Sequence, residues 1–355
     1  MNKAGIVICL FFALGLNGYT QQLDLNNVKE LISKDKLLKL SGGFSSSVVT
    51  YSGTEPSQRD PFVYYLNGNI NLNIAGLLDL PFSFNFTNSG SNYTYPSMPN
   101  RLALHPVYKS LTGHFGDVSM NFSPYTLNGH QFTGAGLEFR PESPLKIAVM
   151  YGRLQKAVEY GSGNDLVPAA YKRTGTGVKL EYEKPKYRLG ISLFSASDDE
   201  NSLAAILPDS LDTRPQSNVA GSLSAALSLI PNMQLAMEYG VSLLNRDTRV
   251  QGNDTANTRY NALKMSLNYT FEKNTVGIGY ERIDPGYKTL GAYFFNNDLE
   301  NITLNYARPF FNNKATIALS GGIEHDDLDR VKESRTRRFV VSGDVNYTPS
   351  ERLNF

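Results

Sequence analysis

Cysteine is almost absent from this chain, tryptophan is missing altogether, and only four histidines occur among its 355 residues. The single cysteine, Cys9, falls in an apolar leader, so the remainder has no thiol for a disulfide frame, a thiolate metal site or a cysteine nucleophile. None of His105, His114, His130 and His325 shows the i, i+4 helical spacing of a zinc site, and the expectation is no metal and no cofactor. An excess of one charge sign is also lacking. With 34 Lys+Arg against 33 Asp+Glu there is no basic surplus to neutralise phosphates, which argues against a nucleic-acid partner. After the leader, no stretch reaches the ~20 consecutive apolar residues that a membrane helix requires. Phosphate-loop and dinucleotide fingerprints are missing as well. The run Thr174-Gly-Thr-Gly177 leads into a strand pattern, where its glycines serve close packing or lumen space.

What is present begins with that leader. Lys3, the apolar stretch from Ala4 to Leu16, and small residues at Gly18 and Thr20 describe a secretory signal peptide over 1–20, cut before Gln21. Residues 21–38 form a short periplasmic segment with one helical candidate, capped by Asn26 or Asn27 and carrying Val28, Leu31 and Ile32 at helical spacing. This segment is too short to be a folded plug.

Over 39–355 apolar residues recur at every second position, the period of a strand with one apolar and one hydrophilic face. Met265, Leu267, Tyr269 and Phe271 alternate with Lys264, Ser266, Asn268 and Thr270; Val219, Leu223, Ala225 and Leu227 alternate with Ser222, Ser224 and Ser228. Tight turns near Pro141, Pro185, Pro231, Lys273, Asn312 and Pro349 alternate with longer polar loops over 159–173, 197–217, 245–258, 284–297 and 324–336. Long loops at one end and short turns at the other predict an all-β, transmembrane, antiparallel up-and-down β-barrel of 14 or 16 strands. A soluble β-sandwich also alternates, but with shorter strands and more even loops. The partner of the strand Ser110–Asn121 is placed near Ser91–Arg101, and the path of Asn88–His130 stays open. Ser350 to Phe355 resembles the first residues of another strand. The barrel is therefore expected to be incomplete at the C-terminus, with a closed barrel ending at Tyr347 as the alternative.

The 21 Tyr and 19 Phe find a place in this picture. Tyr182, Tyr239, Tyr269, Phe271, Tyr280, Tyr306 and Tyr347 take the lipid-facing parity, most of them near strand ends, as expected of interfacial aromatics. Lys179, Glu181, Glu183, Arg188, Glu238, Lys264, Glu281 and Asp344 take the opposite parity and are expected to line a lumen. Their mixed signs imply weak charge preference, and cross-strand ion pairs that brace the wall are an equal reading.

The segments Arg59-Asp-Pro-Phe-Val-Tyr-Tyr-Leu-Asn-Gly68, Leu80-Pro-Phe-Ser-Phe84, Pro106-Val-Tyr-Lys109, Phe122-Ser-Pro-Tyr-Thr-Leu-Asn-Gly-His130, Tyr151-Gly-Arg153 and Gly279-Tyr-Glu-Arg-Ile-Asp-Pro-Gly-Tyr-Lys288 resemble a group of poorly characterised outer-membrane, porin-like β-barrel proteins of Bacteroidota. The resemblance runs over nearly the whole chain after the leader. It implies a cell outer-membrane location and a barrel fold, with no assigned substrate.

The functional expectation is a porin-like channel for small solutes with a polar, mixed-charge lumen, in contact with outer-membrane lipid. A structural or secretion-associated wall protein with envelope protein partners is the first alternative. An outer-membrane hydrolase, with His114 and His130 as its best candidates, is the second; the leading reading is not an enzyme.

Overall fold

A computed structural model describes residues 38–52, 61–88, 101–160, 168–204, 211, 213–250, 257–311 and 314–348. The expected signal peptide, the helical candidate and the segment after Pro349 lie outside these. Among the described residues the structure is all-β, and no helix is long and apolar enough to cross a membrane.

Seventeen strands follow one another: β1 (Leu38–Thr50), β2 (Phe62–Ile74), β3 (Leu78–Thr87), β4 (Arg101–Leu104), β5 (Val107–Tyr108), β6 (Leu111–Asn121), β7 (Asn128–Phe139), β8 (Leu145–Gln155), β9 (Lys172–Lys184), β10 (Tyr187–Asp199), β11 (Ser217–Ile230), β12 (Met233–Asn245), β13 (Asn257–Phe271), β14 (Asn274–Ile283), β15 (Leu299–Phe310), β16 (Ala315–His325) and β17 (Arg337–Tyr347). Apart from β4 and β5, consecutive strands pair antiparallel. β4 and β5 together fill one place between β3 and β6, being separated at His105-Pro106, so the seventeen strands occupy sixteen positions. Proline has no N–H for the ladder, which accounts for the interruption there. The partner of β6 therefore lies at 101–108, downstream of the expected Ser91–Arg101. Among the described residues no register joins β1 to β17, and both are exposed along their whole length.

The short turns lie at one end. Ala75 and Gly76 both have positive φ, 54° and 68°, between the paired residues Ile74 and Leu78. Asn232 follows Pro231 with φ 68°, a conformation that asparagine tolerates well. Glu272-Lys273 closes β13 to β14, at the turn expected near Lys273.

The two faces differ as the alternation demands. On β12 the outward side chains are Met233, Leu235, Met237, Tyr239, Val241 and Leu243, whereas Gly240, Ser242 and Leu244 are buried. On β10 the outward Leu189, Ile191 and Leu193 are exposed, and Gly190, Ser192, Phe194 and Ala196 are buried. The exposed face is the apolar one, the reverse of a soluble sandwich. The core lies on the concave side. Met120, Phe122, Leu127, Phe132, Met150, Leu154, Phe194 and Leu290 form one buried cluster, and Tyr125, Ala262, Ile283, Tyr287 and Leu299 form another.

Candidate functional site

Two segments from one end of the wall fold back into its interior and meet there. The first is Phe122–Leu127, between β6 and β7. It is a tight loop in which the Phe122 N–H donates to the Leu127 carbonyl at 2.8 Å and the Tyr125 N–H donates to Ser123 Oγ at 3.0 Å. The second is the stretch 284–298, between β14 and β15. The Tyr287 hydroxyl donates to the Tyr125 carbonyl at 2.8 Å, the Thr289 hydroxyl to the Thr126 carbonyl at 2.7 Å, and the Asn128 N–H to the Gly291 carbonyl at 2.9 Å. Further along, the Gln131 N–H donates to the Tyr293 hydroxyl at 2.8 Å.

Both segments are tied to wall strands far from their own. Ser123 Oγ donates to Glu238 on β12, and the Tyr125 hydroxyl donates to Glu281 Oε1 on β14 at 3.2 Å. Thr126 Oγ1 shares a hydrogen bond with Ser192 on β10 at 2.8 Å, and Ser192 continues to Ser222 on β11 at 2.9 Å. Asn218 on β11 is the anchor of the second segment. Its Nδ2 donates to Ser242 Oγ at 2.8 Å and to the Leu243 carbonyl at 3.0 Å, and its Oδ1 accepts from the Leu290 N–H at 3.1 Å. Ser242 in turn donates to the Lys288 carbonyl at 2.6 Å. Buried hydroxyl and amide groups are costly unless paired, so this belt on β10–β12 specifies where the segments sit.

Small residues let them approach. A Cβ on Gly240 would stand 2.6 Å from Tyr125 Cβ, and one on Gly291 would stand 2.5 Å from the Thr126 carbonyl oxygen. Gly175 and Gly177 face Leu154, Phe194 and Phe122 in the same way, in keeping with the packing role expected of that run.

The charges expected inside take the parity of this concave face, and all of them but Glu238 and Asp344 form ion pairs among the described residues. Lys179 bridges Glu181 at 3.1 Å, Lys264 bridges Glu281 at 3.4 Å, and Glu183 holds both Lys146 and Arg188. Glu238, Lys264 and Glu281 stand in adjacent register on β12, β13 and β14, beneath Ser123 and Tyr125. Asp344, on β17 opposite Ala318, is not brought to the two segments. The aromatics expected on the other face all take outward parity. Tyr269 and Phe271 stack at 5.8 Å at the short-turn end, and Tyr182 stacks on Tyr187 at 6.1 Å. The Tyr306 hydroxyl donates to Asn274 Oδ1 there, and Tyr347 ends β17. Tyr280 lies nearer the long loops and Tyr239 midway along β12, donating to Glu300 Oε1 and Asn261 Oδ1 respectively.

His114 and His130 do not come together. His114 faces His105, with the two Nδ1 atoms 2.9 Å apart, and the His130 ring packs at a tilt against Tyr293 with centroids 4.2 Å apart. Among the described residues no group of three His, Cys, Asp or Glu side chains has metal-binding geometry.

The sequence reading missed Lys288 and its surroundings. Lys288 is solvent-exposed inside the wall, and its Nζ donates to a neutral partner, Gln216 Oε1, at 3.0 Å. Crowding by the surrounding wall holds its ammonium below the ordinary lysine range. Arg173 and Arg246 push in the same direction, and Asp198 opposes them. Asp198 is itself gripped by Arg173 in a two-pronged pair at 2.8 and 2.9 Å. Burial pushes the Tyr125 and Tyr287 phenols well above their usual range, with Glu281 adding at Tyr125 and Glu238 at Tyr287. A signal for this region was available. The stretch 284–297, read as a polar loop, carries Tyr287, Leu290, Tyr293, Phe294 and Phe295, and Tyr287 and Leu290 are fully buried.

No protein-family model matches the chain. No curated protein matches it by sequence. Solved structures that resemble it include OccK2 (OpdF) of Pseudomonas aeruginosa in complex with glucuronate, at 10% identity over 89% of each chain and a TM-score of 0.49. The outer membrane protein OprD of the same organism has 11% identity over 90% of this chain and 85% of its own, with a TM-score of 0.47. OccK9 (OpdG), also from Pseudomonas aeruginosa, has 14% identity over 87% of each chain and a TM-score of 0.47. Likenesses this distant carry no functional weight.

Proposed function

We propose that this protein is an outer-membrane channel for small polar solutes, narrowed from within by the segments 122–127 and 284–298, with a vestibule that favours anions. The observation that carries the reading is the inversion of the two faces, apolar outside and polar inside. The outward run from Met233 to Leu243 on β12 measures about 34 Å along the strand and about 26 Å after a ~40° tilt, matching the ~25 Å apolar band of membrane barrels. Tyr182, Tyr269, Phe271, Tyr306 and Tyr347 then sit at the headgroup level of one leaflet, with Tyr280 toward the other and Tyr239 within the band.

Lys179, Glu181, Glu183, Arg188, Glu238, Lys264, Glu281 and Asp344 line the water-filled side. Ion pairs among all of these but Glu238 and Asp344 support a wall whose charge is largely balanced toward a passing solute. Selectivity then falls to Lys288, whose partner is uncharged and whose neighbours Arg173 and Arg246 outnumber Asp198. An anion in transit can meet this ammonium without first displacing a carboxylate.

The test is conductance of the purified protein in planar bilayers, with liposome swelling in sugars and organic acids of graded size. Discrete open steps and faster flux of anions than of cations of equal size are expected. A protein that inserts yet conducts nothing and passes no solute overturns the channel reading.

A further inference from the structure

One row of charge faces the wrong way for a lumen. Arg282 on β14, Glu300 on β15, His325 on β16 and Arg337 on β17 are direct cross-strand partners in sequence, and all point outward. One rung nearer the short-turn end, the outward partners are Tyr280, Ile302, Ile323 and Phe339, and beyond them Ile278, Leu304 and Val341. Each member of the row is therefore the first outward charge or imidazole above the apolar run of its strand. On β13 the outward Arg259 stands at the same end, above Asn261 and Leu263.

The row is organised around its one carboxylate. Glu300 accepts the Tyr280 hydroxyl at 2.7 Å, and it lies 3.5 Å from Arg282 Nη1 and 2.9 Å from His325 Nε2. It holds Arg282 and His325 in place, with the Arg282 side chain still 43% exposed. Arg259 and Arg337 have no ion-pair partner among the described residues, and both are exposed. The row thus carries more cations than anions at the level where an apolar band ends. Guanidinium groups offer planar forks that fit phosphate oxygens two at a time, and they hold that geometry at a wet interface.

From this arrangement we infer that the outward row Arg282–Glu300–His325–Arg337, extended by Arg259, is a seat for the phosphate groups of an anionic lipid headgroup in the leaflet on the long-loop side. The inference rests on the membrane-crossing reading above. Cross-strand neighbours stand ~4.8 Å apart, so Arg282 and Arg337, three strands apart, span about 14 Å. That distance suits a headgroup carrying more than one phosphate. Glu300 acts as a positioning residue that keeps Arg282 extended toward the lipid.

The test compares the wild type with Arg259→Gln/Arg282→Gln/Arg337→Gln and with the matching Arg→Lys triple variant. Native mass spectrometry in detergent would follow binding of bis-phosphorylated lipid A and of its dephosphorylated form, with inorganic phosphate as competitor. Flotation with zwitterionic vesicles, run in parallel, reports insertion alone. The wild type is expected to hold the phosphorylated lipid about tenfold more tightly than the dephosphorylated one and not to lose it to millimolar phosphate. The Gln variant should lose that preference while floating normally, and the Lys variant, which keeps the charge without the fork, should keep only part of it. Equal binding by the wild type and the Gln variant, or no preference in the wild type, overturns the seat alone. Failure of the wild type to float overturns the membrane reading and the seat with it.

Discussion

Neutralising or reversing Lys288 is the sharpest test of where selectivity resides. A monovalent ion 4 Å from one unit charge in water feels about 1 kcal/mol, which falls to about 0.7 kcal/mol at 0.1 M salt and about 0.3 kcal/mol at 1 M. Lys288→Gln removes that attraction for anions and the matching repulsion for cations. The anion-to-cation permeability ratio should therefore fall about tenfold at 0.1 M salt and only about two- to threefold at 1 M. Lys288→Glu doubles the charge change, giving about a hundredfold at 0.1 M and about sixfold at 1 M. Reversal potentials under a potassium chloride gradient across a planar bilayer read the ratio directly. The pH dependence has a fixed sign. Crowding, Arg173 and Arg246 lower the Lys288 pKa, so the wild type should lose its anion preference at a lower alkaline pH than an ordinary lysine would dictate. The Lys288→Gln channel should stay flat over that range, because Tyr125 and Tyr287 are pushed upward, out of it. An unchanged reversal potential for Lys288→Glu at 0.1 M, or a shift just as large at 1 M, would refute the assignment of selectivity to this ammonium.

Three further outcomes follow from the same contacts. Tyr125→Ala removes a ring packed on Gly240 and tied to Glu281; single-channel conductance should rise and barrel stability should drop by about 3–5 kcal/mol, as for other buried aromatic truncations, measured by urea titration in vesicles. Gly240→Val places a side chain where Tyr125 Cβ stands 2.6 Å away; it should displace the first segment and raise open-state noise, and a recording identical to wild type would show that the approach is not tight. Asn218→Ala leaves the Leu290 N–H without its acceptor and unties the segment 284–298; a loss of about 1–3 kcal/mol is expected, together with faster proteolysis in that segment, and unchanged proteolysis would count against the anchor.

The wall was legible in the sequence, and its contents were not. Alternation of Met265, Leu267, Tyr269 and Phe271 with Lys264, Ser266, Asn268 and Thr270 is a local property, repeated at every strand, and it set both the strand type and the face of each residue. Parity also placed Lys264 and Glu281 on one face, though only the register brought them side by side. The strand at 101–108 was misplaced because it is short and broken at Pro106, where too few alternating residues remain to read a period.

The interior segments depend on contacts that have no period at all. Ser123 reaching Glu238, or Thr126 reaching Ser192, joins positions 115 and 66 residues apart whose proximity exists only once the sheet has curled. A trace of this was nevertheless in the composition. A loop in water has no reason to hold Tyr287, Leu290, Tyr293 and Phe295, whereas one folded into a wall must bury something there. The same reasoning explains why the decisive charge was overlooked. Parity arguments find charges on strands, and strand charges meet partners across the ladder. Lys288 escapes neutralisation because it rides on a segment outside the ladder, held by its carbonyl to Ser242 and by its ammonium to Gln216. In a barrel whose wall pairs most of its own charge, a cation carried inward by a loop is left to face the lumen.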